Sequence, residues 1–141
     1  MNKFLSNNLI KIVILFFLII GFSFKNNNQY PWFNGDYELA KTVAGNRLIM
    51  LDFYSDWWGA CKRLDAEVFK NSQVIELSKE FISLKLDVNI DQNHILSNMY
   101  NVSNIPQNIF VDKNGNEVGR IVGFYPSDVF IEKVEKILSS Y

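Results

Sequence analysis

This chain of 141 residues is poor in the residue types that metal sites and many catalytic sites use. It contains a single cysteine, Cys61, and a single histidine, His94. Such a chain lacks the set of thiolate and imidazole ligands that a structural zinc site needs. It also has no glycine-rich stretch typical of a phosphate-binding loop. We therefore expect neither a metal ion nor another cofactor, and one cysteine excludes a disulfide within the chain.

Positive charge is not in excess either. The chain has 14 lysines and arginines against 15 acids, which gives a formal net charge of −1. Proteins that bind nucleic acid cluster lysine and arginine against the phosphates, and no such cluster is visible here. Hydrophobic residues make up 48% of the chain and aromatic residues 15%, which is enough for one folded domain with a core. We expect no nucleic-acid partner.

The N-terminal segment differs from the rest of the chain. Two lysines frame its start, and residues 12–24 then form an apolar run without a charge. A run of about 7–15 residues behind a positive start is typical of a signal peptide, whereas a membrane-spanning helix needs about 20. We interpret residues 1–24 as a signal peptide or membrane anchor that contacts or spans the membrane if uncleaved. Residues 25–35 are interpreted as a linker, and residues 36–141 as the domain.

The positive start also predicts where the domain lies. Lysines that flank an apolar segment tend to stay on the cytoplasmic side of the membrane. We therefore expect the domain to be extracytoplasmic, either periplasmic or secreted, and either free or anchored to the membrane by the N-terminal segment.

The rest of the chain alternates between helical and strand patterns. Helices are predicted from Asp36 to about Ala44, from Trp58 onward, over 72–81, over 94–100 and from Ser127, and strands over 48–54, 82–88, 108–111 and 117–122. Strands separated by helices imply parallel pairing, and the Asn-Gly pair before the last strand predicts an antiparallel hairpin. The fold class is α/β, with a mixed central sheet of four to five strands flanked by helices.

The chemistry is expected near the strand 48–54. This strand is apolar except for Asp52, which is typical of a central strand covered on both faces. The stretch that begins there, Asp52–Lys62, reads D-F-Y-S-D-W-W-G-A-C-K. It resembles the strand, turn and helix around the W-C-x-x-C-K site of the thioredoxin family. In that match Trp57 precedes the site and Cys61 is the second cysteine, but Trp58 stands where the first cysteine belongs.

Two later features agree with this resemblance. Ile105-Pro106 lies where the family has a cis-proline that faces the site, and Gly123 follows the final strand. The resemblance covers residues 36–141. It is greatest to exported thioredoxin-like proteins and to the C-terminal domain of membrane thiol-reductant transporters, and it implies a thioredoxin fold.

The resemblance also implies roles for the two candidate catalytic residues. In the family the first cysteine attacks a disulfide from the helix N-terminus, and the second cysteine resolves the mixed disulfide. With an indole at position 58, Cys61 is either a shielded single thiol or a small buried hydrophobic residue. The family's strand aspartate takes up the proton of the second cysteine. Asp52 is therefore expected to have a raised pKa, or else to be a structural carboxyl held by hydrogen bonds.

A peptide groove around the proline is also implied by the resemblance. Its expected residues are Trp57, Trp58, Gly59, Ala60, Ile105, Pro106 and Gly123, with Tyr54, Phe124 and Tyr125 as further aromatic walls. A cis proline bond there would leave a backbone edge free to pair with an extended peptide.

Two functions follow from these expectations. The first is a non-catalytic module that binds a peptide or protein partner in the groove. The second is a single-thiol disulfide oxidoreductase, in which Cys61 exchanges with a thiol-bearing partner and an external thiol completes turnover.

Overall fold

A computed structural model describes residues 29–141. The predicted signal or anchor segment over residues 1–24 lies outside the described residues. Among the residues described, no helix is long and apolar enough to cross a membrane.

The centre of the domain is a four-stranded mixed sheet. Its strands are β1 (Ile49–Tyr54), β2 (Ile82–Asp87), β3 (Gln107–Val111) and β4 (Glu117–Val122), in the spatial order β2-β1-β3-β4. β1 is parallel to β2 and antiparallel to β3, and β3 and β4 form an antiparallel hairpin. The predicted α/β sheet is confirmed, and the apolar strand β1 has the expected central position because it pairs on both edges.

Helices cover both faces of this sheet. They are α1 (Tyr37–Ala44), α2 (Gly59–Arg63), α3 (Ser72–Leu77), α4 (Asp91–Met99) and α5 (Ser127–Ser139). α2 continues as a π-helical turn over Leu64–Val68, and α3 ends in a 3-10 turn over Ser78–Glu80. α4 begins at Asp91, which is before the predicted start at His94.

Two hydrophobic cores lie on opposite faces of the sheet. Side chains of β1 alternate between them, because successive residues of a strand point to opposite faces. Met50 belongs to the core that includes Phe110 and Phe130, and Leu51 and Phe53 belong to the other core. Full burial of each large apolar side chain contributes about 1.5–3 kcal/mol to folding. Burial on both faces explains why the sequence of β1 is apolar at every position but one.

The folded domain begins before residue 36. Tyr30 is buried, and its hydroxyl lies 2.9 Å from Ser83 Oγ. Trp32 forms a parallel bridge with Ser83, and the amide of Phe33 donates to the Ser83 carbonyl at 2.8 Å. The sequence predicts a linker over residues 25–35. Tyr30, Trp32 and Phe33 instead pack along the outer edge of β2, because their aromatic rings are apolar and their backbone pairs with the strand.

Two predicted helix caps have different outcomes. Asp36 caps α1 as expected, since its carboxylate accepts a hydrogen bond from the Leu39 amide at 2.8 Å. Ser127 does not cap α5. Pro126 is the N-cap residue of that helix, and the Ser127 hydroxyl donates to the Glu67 carbonyl at 3.0 Å instead. This hydrogen bond ties α5 to the π-helical turn after α2.

Candidate functional site

Two tryptophans occupy the mouth of the site, between β1 and α2. The turn is closed by the Trp58 amide, which donates to the Ser55 carbonyl at 3.3 Å. Trp58 is the N-cap residue of α2. Trp57 and Trp58 are 62% and 46% exposed, and their rings meet edge to face at 5.6 Å. The macrodipole and the free backbone amides at a helix N-terminus stabilise a thiolate there and so lower the pKa of the thiol. Here that position presents an exposed indole.

The only cysteine of the chain lies one helical turn further in. Cys61 is buried in α2, with 2% of its surface exposed. Burial raises the pKa of its thiol, because the ionised form loses its solvation. The thiolate is the nucleophile in disulfide exchange. A shielded, protonated thiol is a poor first attacker, in keeping with the expectation from the sequence. Beside it, Gly59 is exposed and Ala60 half-buried.

A buried carboxyl lies beneath the site, on β1. Asp52 is 1% exposed, and burial raises its pKa from 3.8 to about 7. Its Oδ1 accepts a hydrogen bond of 2.8 Å from Nδ2 of Asn108, which is fully buried in β3. The two residues are direct partners in the β1–β3 register. The raised pKa predicted for Asp52 is therefore accompanied by a hydrogen-bond partner that the sequence did not identify.

A lysine on β2 supplies a positive charge that lowers the pKa of Asp52. Lys85 is paired with Asp52 in the β1–β2 register and forms a salt bridge with Asp65 of the π-helical turn. Its ammonium also lies 4.6 Å from the ring centre of Tyr54 and 4.9 Å from that of Trp32. Because Asp65 already engages the ammonium, Lys85 offsets the burial of Asp52 only in part.

The proline loop precedes β3. The Ile105-Pro106 peptide bond is cis. The Pro106 carbonyl accepts a hydrogen bond of 2.8 Å from the Gly123 amide. Gly123 has a φ of 85°, a left-handed conformation that favours glycine. This hydrogen bond ties the proline loop to the end of β4. Val122, next to that glycine, exposes its side chain.

A polar network holds the same loop from the side of β4. The Gln107 amide donates to Asn104 Oδ1 at 2.7 Å and accepts from Arg120 at 3.0 Å. Arg120 also donates to the Tyr100 carbonyl at 3.0 Å, and it forms an ion pair with Glu117. The network joins α4, the proline loop and β4, so it fixes the backbone around the proline.

The three remaining aromatic residues of the predicted groove are half-buried. Tyr54 lies under Lys85, Phe124 lies 4.0 Å from the Arg63 guanidinium, and Tyr125 lies 4.5 Å from the Lys133 ammonium. Each ring therefore has a cation on its face. Their convergence with the two tryptophans into one groove stays a prediction. Within residues 29–141, no group of three or more His, Cys, Asp or Glu side chains is placed to hold a metal ion.

The comparison with known proteins agrees with this geometry. Residues 36–138 match the family model described as a thioredoxin-like domain. The chain belongs to this family. Thiol:disulfide interchange protein DsbD of Haemophilus influenzae strain PittGG is 34% identical over 107 residues, which is 72% of this chain and 18% of that protein. The chain thus spans less than a fifth of the length of this curated relative.

Solved structures of the thioredoxin-like family have the same fold. A putative disulphide-isomerase from Bacteroides thetaiotaomicron is 28% identical, with a TM-score of 0.69 over 80% of this chain and 96% of that one. The C-terminal domain of Neisseria meningitidis DsbD, in its oxidised form, is 25% identical, with a TM-score of 0.58 over 70% of this chain and 87% of that one. The chain is thus a thioredoxin-like domain related to thiol–disulfide interchange proteins.

Sequence reasoning missed two residues of the site region, Asn108 and Lys85. A signal for Asn108 was present, because it is a polar residue within the apolar strand β3, as Asp52 is within β1. Its meaning depends on strand register, which places the two residues opposite each other. The sequence offered less indication that Lys85 lies near the site, since the charged end of a lysine in a strand usually reaches solvent.

Proposed function

We propose that this domain is a binding module that retains the peptide groove of the thioredoxin-like family without the dithiol cycle. The observation that carries the proposal is which side chain is exposed at the start of α2 and which is buried. Trp58 is exposed where an attacking thiol would lie, and the only thiol, Cys61, is buried. A partner that reaches this surface meets an indole and no nucleophile.

Electron balance supports the same conclusion. Reduction of a disulfide takes two electrons, and a dithiol supplies them by becoming a disulfide itself. A domain with one thiol can only form a mixed disulfide, in which one partner thiol is released and the other stays bonded to the domain. Completing turnover then needs an external thiol that reaches Cys61, and the burial of that sulfur opposes this step.

The exposed surface favours a peptide or protein as the partner. Two neighbouring tryptophans are exposed at the mouth, and Val122 and Ile105 add apolar area near the proline loop. Aromatic residues are enriched at protein interfaces and contribute a large share of binding energy there. The proposed groove consists of Trp57, Trp58, Gly59, Ala60, Ile105, Pro106 and Gly123.

A turnover assay tests the non-catalytic part of the proposal. The purified protein, Cys61→Ala and Trp58→Cys are each given a disulfide-bonded peptide and a thiol reductant. We expect background rates from the first two proteins and reduction by Trp58→Cys, which restores a Cys-x-x-Cys pair. Wild-type turnover that is lost in Cys61→Ala would instead support the single-thiol oxidoreductase.

A binding comparison tests the groove. Trp57→Ala and Trp58→Ala remove exposed aromatic area from it, and Ile95→Ala removes from α4 an apolar side chain that is more exposed than either tryptophan. We expect the two tryptophan variants, but not the α4 control, to lose proteins that co-purify with the wild type. The wild type should retain these partner proteins equally with and without reductant. Loss of every partner on reduction would show bridging through Cys61 rather than groove binding.

We also propose that the domain acts outside the cytoplasm. The positive start and apolar run over residues 1–24 support export or anchoring. Fractionation of cells that express the full chain tests this. Protease is added to cells whose outer membrane has been permeabilised and whose inner membrane is intact. Protection of the domain in the cytoplasmic fraction would contradict the proposal.

A further inference from the structure

The buried pair beneath the site has an unusual arrangement of donors and acceptors. Asn108 Nδ2 donates to Asp52 Oδ1 at 2.8 Å. Among the residues described, Asn108 Oδ1 is the only buried side-chain nitrogen or oxygen atom without a hydrogen-bond partner. A buried acceptor without a donor costs about 1–3 kcal/mol, so such atoms are rare in folded proteins. This oxygen therefore requires a donor in its immediate surroundings.

We propose that Asp52 and Asn108 form an acid–amide pair in which Asp52 carries a proton and Asn108 is the positioning residue that holds it. An ionised carboxylate has only acceptor atoms, whereas a protonated carboxyl has one O–H donor. A carboxylic acid and a primary amide can exchange two hydrogen bonds at once. The amide N–H then donates to Asp52 Oδ1, and the acid O–H at Oδ2 donates to Asn108 Oδ1.

The sheet explains how the two groups are held together. Asp52 and Asn108 are directly opposite each other on the central strands β1 and β3. Side chains of directly opposite residues lie on the same face with Cβ atoms about 4.5–5.5 Å apart. That separation suits two short polar side chains that meet through their planar ends. Because both strands are paired on both edges, neither side chain can move to solvent without disrupting the sheet.

The charged and titratable groups around the pair leave the neutral acid favoured. Burial is the largest influence on Asp52, and Asp65 acts in the same direction by like charge. Lys85 and the hydrogen bond donated by the Asn108 amide lower the pKa of Asp52, but they do not cancel the effect of burial, and Lys85 is also engaged in a salt bridge with Asp65. Cys61 of α2 and Tyr30 of the N-terminal segment also have raised pKa values through burial, so both stay neutral.

This inference goes beyond the binding function, and it holds whether or not the groove binds a peptide. While Asn108 holds the protonated acid, Asp52 is not available as a base for Cys61. Loss of the proton removes one of the two hydrogen bonds and turns two acceptor oxygens toward each other. The pair therefore links the protonation of one buried carboxyl to the stability of the sheet.

The first test is a comparison with Asp52→Asn, a neutral side chain that can make the same two hydrogen bonds. Between about pH 5 and pH 8 the folded-to-unfolded ratio of the wild type should fall roughly 100-fold, because the native state holds a proton that the unfolded chain releases. Asp52→Asn should lose this dependence and exceed the wild type in stability at about pH 8. A variant less stable than the wild type at that pH would overturn the proposal.

The second test uses the wild-type protein, so it does not depend on a variant that folds. In an NMR titration, the Asp52 carboxyl carbon should have the shift of a protonated acid at about pH 5. The side-chain amide signals of Asn108 should move with the same midpoint as that carbon. Asn108 signals that do not change through the Asp52 midpoint would show a merely structural asparagine and refute the pair.

Discussion

The mouth of α2 and the region one helical turn below it differ in almost every physical property. At the mouth, Trp57 and Trp58 are exposed, and their rings meet edge to face. Below, Cys61, Asp52 and Asn108 are buried, and the carboxyl and amide are joined by a hydrogen bond. An exposed side chain can change without much cost to the fold, whereas a buried polar group is coupled to it. The surface that meets a partner and the groups that hold protons are therefore separable in this domain.

The largest expected difference between exposed and buried positions is in packing. Phe110 is fully buried in the core behind the site, and its ring lies 5.2 Å from that of Phe81. Phe110→Ala should lower the free energy of unfolding by about 3–5 kcal/mol, through lost burial and the cavity that remains. Chemical denaturation at one pH measures this. A loss below about 1 kcal/mol would mean that the core repacks around the smaller side chain. Buried and exposed positions would then differ less in their effect on stability than their exposure indicates.

The next largest effect is the pH dependence that comes from Asp52. Burial raises its folded-state pKa from 3.8 to about 7. A carboxyl with a raised pKa binds more protons in the native state, so its stabilising contribution is present at low pH. This stabilising contribution is lost as the pH rises from the unfolded-state pKa of Asp52 to its folded-state pKa. Between about pH 5 and pH 8 the free energy of unfolding should fall by about 3 kcal/mol. Unfolding curves at several pH values measure this slope, and a flat profile would contradict it.

Thiol accessibility compares the two regions directly. Cys61 should react with a bulky thiol reagent at least about tenfold more slowly in the native state than after unfolding, because a shielded thiol must wait for the structure to open. The matched control is Trp58→Cys combined with Cys61→Ala, which moves the thiol to the exposed helix start. That control should label rapidly in the native state. Equal native-state rates at the two positions would show that Cys61 is accessible.

The smallest expected effect is at the mouth itself. Trp57→Ala should change the free energy of unfolding by no more than about 0.5 kcal/mol, since surface substitutions away from buried features usually lie in that range. The same denaturation assay measures it beside Phe110→Ala. A loss of several kcal/mol would mean that the indole supports the fold rather than a partner surface.

Much of the fold was predictable from local patterns, and particular residues show why. The apolar run around Asp52 identified β1 as central, and Asp36 marked the start of α1. These signals depend on periodicity and on backbone hydrogen bonds between near neighbours. The sequence predicts a linker position for Tyr30 and a helix cap at Ser127, because their actual partners, Ser83 and Glu67, lie far away in the sequence. Contacts between residues so far apart in the chain leave no local pattern in the sequence.

The candidate site was predictable only in part for the same reason. The sequence identified Trp58 at the position of the lost cysteine, and it identified Cys61 as the remaining thiol. It did not reveal that Asn108 would be the partner of Asp52, although both are polar residues in apolar strands. Pairing them requires the register between β1 and β3. A shift of that register by one residue would move one side chain to the opposite face.

The amino-acid sequence by itself determined that this chain has one thiol, an indole at the start of the site helix, and the alternation of helices and strands that defines an α/β domain. Composition and short-range periodicity are properties of the covalent chain, so no fold is needed to read them. Only the tertiary structure decided that Cys61 is shielded, that burial raises the pKa of Asp52, and that Asn108 lies against it. Burial, desolvation and cross-strand contact arise only when distant segments pack together, and those three effects set the chemistry of the site.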